Sequence, residues 1–183
     1  MKRIARVGVV FLLQEPTCLL AEADLLSGRA EQARRRLTPL LDVADATPAA
    51  GKSRRPLLFL AGAEMALGHY ADAEARLNAL LADATALFQV DALRVQGLLA
   101  TQQERWDVGV AALEEAIERA HAMPFPYAEL KALYVYGQLE AARGDVAAAR
   151  KHLKQALLIC DRLGEGWYRK YVERDLRRLA QKR

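Results

Sequence analysis

Three histidines carry the side chain best suited to acid–base catalysis and metal binding at neutral pH, and their spacing favours neither role. His69, His121 and His152 lie far apart, and the sequence has no HxxxH, HExxH or paired CxxC motif. Because metal ions need clustered ligands, each histidine is expected on a solvated turn or helix face.

The carboxylates offer no better catalytic arrangement. Glu114 and Glu115 are neighbours, but adjacent residues of a helix point about 100° apart and cannot easily share a substrate. The sequence also lacks the GxSxG and GxGxxG motifs of hydrolases and dinucleotide-binding enzymes. It therefore predicts a protein that is not an enzyme and has no cofactor and no metal.

The two cysteines, Cys18 and Cys160, are separated by 142 positions. A single pair of widely separated cysteines does not indicate a fold held together by disulfide bonds. Both are expected to be buried, reduced apolar residues, which predicts a cytoplasmic protein.

The stretch WYRKYVERDLRRLAQKR, near the C-terminus, has the most uneven charge distribution. Its aromatic and aliphatic residues form a stripe at helical spacing, and its basic residues are Arg169, Lys170, Arg174, Arg177 and Arg178. Such a basic amphipathic helix could touch nucleic acid or an acidic partner. A capping helix with the stripe inward explains the same pattern and is preferred.

Composition indicates helices throughout. Ala, Leu, Arg and Glu dominate a chain that is 52% hydrophobic and 27% charged, and all four residue types favour helices. The alternation of apolar and polar residues that would indicate strands does not recur. The net charge of +4 is modest for a nucleic-acid-binding protein.

One sequence pattern recurs along the chain. It is typical of a helix that ends at a glycine and is followed directly by a second helix. It reads DLLSGRAEQARRRL at 24–37, EMALGHYADAEARL at 64–77 and EAARGDVAAARKHL at 140–153. Gly28, Gly68 and Gly144 mark its turns, 40 and 76 residues apart. Because 76 is twice 38, a fourth turn is expected near residue 105, where Glu104 replaces the glycine.

Small residues at matching positions predict close packing within each helix pair. Five residues after the turns stand Ala33, Ala73, Gly109 and Ala149, and nine residues after them stand Leu37, Leu77, Leu113 and Leu153. Gly97 and Gly137 each lie seven residues before a turn. Since glycine inside a helix costs about 1 kcal/mol relative to alanine, two at matching positions indicate that a neighbouring helix approaches closely.

These residues resemble the tetratricopeptide repeat, whose pattern fits best in the last repeat, at Gly137, Val146, Ala149, Leu153 and Ala156. The resemblance implies an all-α fold, a right-handed α-solenoid of about four helix pairs plus a C-terminal capping helix, in a single domain at 1–183. The repeats are predicted at about 16–45, 56–83, 87–122 and 127–163, with the cap at 167–181.

Three prolines set the predicted helix starts. Pro16, Pro56 and Pro126 are expected at or just before first turns, so the first helix is predicted at 17–27. The stretch DATPAAGKSRRP at 45–56 is predicted to be a loop.

The apolar run from Val7 to Leu13 is too short to span a bilayer. It is interpreted as an apolar helix face or the remnant of an earlier repeat, and pairing with a second copy in a homodimer is an open alternative.

The first helix of each tetratricopeptide pair lines a concave surface, and the resemblance carries the family's groove positions onto this chain. The implied partner-binding residues are Arg55, Leu58, Met65, Asp91, Arg94, Thr101, Gln102, Lys131, Tyr134 and Gln138. Because Arg and Lys form charge-assisted hydrogen bonds, such a groove suits an acidic peptide or another carboxylate-bearing ligand. The alternative is that these are ordinary solvated residues.

The segment PYAELKALYVYGQLEAARGDVAAARKHLKQALLICDRLG is similar to the C-terminal repeat regions of bacterial LuxR/MalT-type regulators and related signal-transducing ATPases. That resemblance implies a sensor or interaction module that restrains an upstream ATPase or DNA-binding domain. The sequence has no GxxxxGK[ST] loop and no helix-turn-helix, so it is either part of such a regulator or a free-standing adaptor. A protein or peptide partner is predicted and no membrane; nucleic-acid association through the basic helix is the third alternative.

Overall fold

The computed structural model describes the backbone of residues 2–45, 54–83, 86–123 and 125–181, and the side chains of 14–41, 55–82, 87–123 and 125–181. Within these ranges the chain forms nine helices and no strand, which confirms the all-α prediction. The helices are α1 (Lys2–Leu26), α2 (Ala30–Asp45), α3 (Arg54–Ala66), α4 (Tyr70–Asp83), α5 (Ala86–Gln102), α6 (Trp106–Ala122), α7 (Pro126–Arg143), α8 (Val146–Leu163) and α9 (Gly166–Gln181).

The helices group into two compact units, Met1–Ala84 with α1 to α4 and Thr85–Arg183 with α5 to α9. In each unit consecutive helices pair as antiparallel neighbours, and the first helices of successive pairs contact each other, α1 with α3 and α5 with α7. The second helices, α2 and α4 or α6 and α8, make no close backbone contact within the described ranges. This is the stacking of a helical-repeat protein. The single domain remains a prediction.

The turns between paired helices follow the predicted register. Gly28, Gly68 and Gly144 adopt positive φ angles of 76°, 84° and 95°. Glu104 has φ 57° and is, in the described part of the chain, the one residue other than glycine in this left-handed region. After each of these four turn residues, the next backbone N–H donates to the carbonyl oxygen five residues before it, as from Arg105 to Ala100 at 2.8 Å. The 38-residue spacing therefore located the turn at Glu104 correctly.

The close approach predicted at the mid-helix glycines is also present. A Cβ atom on Gly97 would lie 2.5 Å from Cγ of Leu113, and one on Gly137 would lie 2.6 Å from Cγ of Leu153. Both leucines are buried in the facing helix of the same pair. The glycines thus provide the space that the leucine side chains fill.

The first helix was predicted incorrectly. α1 begins at Lys2, and Pro16 lies inside it rather than at its start. A proline removes one backbone hydrogen bond and bends a helix, but it does not always end one. Pro126 does stand at the start of α7, and Pro56 lies in the first turn of α3, as predicted.

Most of the predicted loop at 45–56 lies outside the described residues, and its described ends belong to α2 and α3. No described helix combines the length and the apolar character needed to cross a bilayer.

Candidate functional site

The predicted groove residues of the second unit form a chain of contacts along α5 and α7. Oδ1 of Asp91 accepts a hydrogen bond from Nε of Arg94 at 3.3 Å and lies 3.5 Å from Nζ of Lys131. Both cationic side chains are buried. Burial alone would raise the pKa of Asp91, but the charges of Lys131 and Arg94 outweigh it and hold that pKa below its usual range. These groove positions are therefore brought together, but they pair with one another.

The next groove positions, Tyr134 and Gln138, lie against α9. Oη of Tyr134 donates to Oδ2 of Asp175 at 3.0 Å, and Nε2 of Gln138 donates to Oη of Tyr134 at 2.9 Å. Arg174 donates from Nε to Oδ1 of Asp175 at 2.9 Å. Burial, followed by the charge of Asp175, raises the pKa of Tyr134. The groove residues of α7 and the basic residues of α9 thus meet at a single carboxylate.

Tyr168 anchors α9 on this surface. Its ring makes edge-to-face contacts with Tyr127 and Tyr134 of α7 at centroid distances of 6.0 and 5.9 Å, and with Trp167 at 6.0 Å. Tyr171, Val172 and Leu179 of the apolar stripe are buried as well, and Leu176 is partly buried. The predicted inward stripe of a capping helix is therefore present, and α9 covers Tyr134, which is only 3% exposed.

A cavity of about 410 Å³ opens beside this contact and is called here the α7–α9 cavity. Gly137, Ala141, Leu153 and Leu179 supply its small or apolar walls, while its polar groups come from Gln138, Asp175, Arg178 and Gln181. Arg178 lies 3.6 Å from Asp175, yet 68% of its side chain is exposed. A guanidinium beside two carboxamides can bind a carboxylate through charge-assisted hydrogen bonds.

The other basic residues of α9 have acidic or aromatic neighbours. Arg169 pairs with Asp161 and, at 3.0 Å, with Glu173, and Arg177 lies 3.9 Å from the same Glu173. The ammonium group of Lys170 lies 4.9 Å from the ring centre of Tyr171. These contacts offset part of the positive charge that the sequence assigned to this helix.

The last two groove residues of α5 do not join this cluster. Oγ1 of Thr101 donates to the backbone carbonyl of Gly97 at 2.8 Å, and Gln102 is exposed at the end of α5. In the first unit, Arg55 pairs with Glu15 of α1.

Two further groove residues are buried. Leu58 and Met65 are only 2% and 3% exposed, because α3 buries them among its neighbouring helices. Tyr134 and Lys131 are buried to a similar extent, with 3% and 4% exposure. For all the groove residues, a role in binding remains a prediction.

The histidines differ from one another in environment. His69 and His121 are exposed, as predicted. His152 is only partly exposed: its ring stacks on Tyr136 at a centroid distance of 4.0 Å, and burial lowers its pKa. The prediction considered each histidine alone, although Tyr136 and His152 directly precede Gly137 and Leu153, which pack together. Among the described residues no three His, Cys, Asp or Glu side chains gather closely enough to hold a metal ion.

Both cysteines are free and buried, as predicted. Burial raises the pKa of Cys160 to about 11 and that of Cys18 to about 12, so both remain protonated thiols at neutral pH. They are poorly suited to nucleophilic chemistry.

A second opening, between α6 and α8, was not anticipated from the sequence. The signal that could have indicated it is the spacing of Glu114 and Glu118, which places two carboxylates on one side of α6.

No protein-family model and no curated protein matches the sequence. Solved structures do match, among them a kinesin light chain-like protein from Podosopora anserina with nearly identical TPR-like repeats, and a variant of that protein. Each is 18% identical to this chain, with a TM-score of 0.58 over 92% of this chain and 85% of its own. At this level of identity the similarity shows the fold alone, which is that of TPR-like helical repeats.

Proposed function

We propose that this chain is a non-catalytic protein–protein interaction module that binds an acidic or carboxylate-bearing segment of a partner at the α7–α9 cavity. The observation that carries the proposal is the convergence of a groove residue, Gln138, and a residue of the basic helix, Arg178, on one cavity. Repeat packing holds α7 and α9 at a fixed spacing, and the side chain of Arg178 remains accessible to a ligand. The repeat fold itself is consistent with binding proteins rather than transforming small molecules.

A peptide screen tests this proposal with the full chain. Phage-displayed random dodecapeptides are selected on the immobilised protein, and the selected acidic peptides are synthesised for fluorescence anisotropy. Arg178→Glu is compared with Arg177→Glu, a matched control because each arginine side chain is 68% exposed while only Arg178 lines the cavity. We expect Arg178→Glu to weaken binding at least tenfold and Arg177→Glu to change it less than twofold.

Equal losses in the two variants would mean that peptides respond to the net charge of α9, and the proposed site would then be wrong. The same outcome together with salt-dependent binding of duplex DNA, lost on reversing Arg174, Arg177 and Arg178, would favour the nucleic-acid alternative. Selection of no acidic peptide would also contradict the proposal.

We further propose that this module serves as the sensor or scaffold region of a bacterial regulatory protein in the cytoplasm, with a free-standing adaptor as the alternative. The support is the similarity of the segment at 126–164 to repeat regions of such regulators. An immunoblot of the endogenous protein separates the two. A band several times larger than 20.3 kDa would support the regulator, and a band near that mass would support the adaptor.

A further inference from the structure

A wide cleft separates α6 from α8 on a face of α7 different from the one that α9 covers. It encloses about 800 Å³ and is called here the α6–α8 cleft. Its lining shares no residue with the α7–α9 cavity. The cleft exists because the second helices of successive pairs make no close backbone contact in the described chain, so α7 forms its floor.

The floor of the cleft is apolar, and each of its two walls adds an apolar side chain. Leu133, Tyr136 and Ile159 are buried at its base, and Ile117 lies on the α6 wall. Leu158 stands on the α8 wall with 68% exposure, the largest value among the large apolar residues of the described chain. An exposed leucine beside an apolar floor is a typical anchor site for a partner's apolar side chain.

The polar part of the cleft is acidic. Glu114, Glu118 and Glu129 line it, against a single ammonium group from Lys151. Glu114 accepts a hydrogen bond from Oη of Tyr136 at 3.2 Å, and Glu129 lies 3.6 Å from the imidazole of His121. Glu118 is exposed on the α6 wall between them. The carboxylates thus face the space in which a ligand would lie.

His152 does not neutralise these carboxylates. Burial lowers its pKa, so its imidazole is neutral at pH 7, and its Nδ1 atom is buried without a hydrogen-bond partner in the described chain. The lining therefore presents negative charge beside apolar surface.

We propose that the α6–α8 cleft is a second docking surface, which binds a basic amphipathic segment of a partner protein. An apolar side chain of that segment packs against Leu158 and the floor of the cleft, and a neighbouring lysine or arginine pairs with Glu114 and Glu118. The charge preference is opposite to that of the α7–α9 cavity, so the two surfaces select different segments. This inference does not depend on the cavity being a binding site.

The test uses the basic peptides selected by the full chain from the phage-displayed dodecapeptide library. Binding of the synthetic peptides is measured by anisotropy against Glu118→Gln and Leu158→Asp, two substitutions at exposed positions that should leave the fold intact, as circular dichroism verifies. Glu115→Gln is the matched control, because Glu115 lies on the same helix but pairs with Arg119 at 2.6 Å and does not line the cleft.

We expect the two cleft variants to weaken binding at least tenfold, with less than a twofold change in Glu115→Gln and in Arg178→Glu. Equal losses in Glu115→Gln and Glu118→Gln would indicate general attraction to an acidic helix and would overturn the proposal. Selection of no basic peptide, or of basic peptides that retain full affinity for Leu158→Asp, would overturn it as well. Since acidic peptides report on the cavity separately, failure of one proposal is distinguishable from failure of the other.

Discussion

Nε of Arg76 in α4 donates to both carboxylate oxygens of Glu64 in α3, at distances of 2.9 and 2.8 Å. Glu64 lies four residues before the turn at Gly68, and Arg76 lies eight residues after it. Asp24 and Arg36 occupy the same positions around Gly28 and pair at 2.6 Å. The ion pair is thus a repeated element that links the two helices of a pair.

The later repeats depart from this arrangement. Ala100 and Ala112 stand at the corresponding positions of the third repeat, and Glu140 and His152 at those of the fourth. Alanines remove both charges together, which leaves no buried group unpaired. The fourth repeat keeps the acidic residue, Glu140, but has His152 instead of an arginine at the matching position.

Arg76→Met is expected to destabilise the protein strongly, because it leaves the carboxylate of Glu64 buried without its cation. Removing one member of a buried pair costs about 3 kcal/mol or more, although the partial exposure of Arg76 favours the lower end. Urea denaturation followed by circular dichroism measures the change. Arg35→Met is the control, since Arg35 pairs with Glu31 on the exposed surface of one helix and should change stability little. Similar effects of the two substitutions would contradict this assignment.

The helix pairs, their turns and their close contacts could be predicted because they depend on residues near one another in sequence. The spacing of Gly28, Gly68 and Gly144 was enough to identify a turn at Glu104, where no glycine marks it. The position of a residue relative to the turn determines which side of its helix faces the other helix of the pair. The close packing of Gly97 against Leu113 could therefore be predicted as well.

The surroundings of the candidate site could not be predicted in the same way. Tyr134 is covered by Asp175, which lies 41 residues later in α9, a helix that belongs to no pair. Burial of Leu58 depends on neighbouring helices too. A repeat register identifies equivalent positions, but not which of them a later helix covers.

Glu104→Gly is expected to stabilise the protein. A left-handed backbone places Cβ close to the following carbonyl oxygen, which costs about 1–2 kcal/mol for an ordinary residue, and glycine removes this strain. The larger conformational freedom of glycine in the unfolded chain offsets part of the gain, so we expect about 1 kcal/mol. Thermal and urea denaturation measure it. Gly144→Ala places a Cβ in the same backbone conformation and should act in the opposite direction; stabilisation by both changes would contradict the explanation.

Gly97→Ala and Gly62→Ala should have opposite effects, although both replace a glycine within a first helix. A Cβ on Gly97 would lie 2.5 Å from Leu113, whereas one on Gly62 would lie 3.4 Å from Cδ1 of Leu25, an ordinary contact. Overpacking at Gly97 should cost about 1–3 kcal/mol, while the better helix propensity of alanine at Gly62 should contribute about 1 kcal/mol. Urea denaturation of both variants tests the difference. Stabilisation by Gly97→Ala would mean that α5 and α6 can separate without cost.

Glu140→Gln should stabilise the protein at neutral pH and change how its stability depends on pH. Glu140 is only 2% exposed, and burial raises its pKa despite Arg143, whose Nε lies 2.5 Å from the carboxylate. A group with a raised folded-state pKa contributes stability below its unfolded pKa, here 4.5, and loses that contribution as pH rises through the folded value. Glutamine removes the buried charge but keeps the shape of the side chain.

The stability of the native protein relative to Glu140→Gln should therefore fall as pH rises from 4 towards neutrality. Urea denaturation of both proteins across this range gives the difference directly. The carboxyl groups of Asp24 and Asp91, whose lowered pKa values have the opposite effect, are present in both proteins and cancel. Glu118→Gln, at an exposed position, controls for the loss of one negative charge. A stability difference that stays constant or rises with pH would show that the folded-state pKa of Glu140 is not raised.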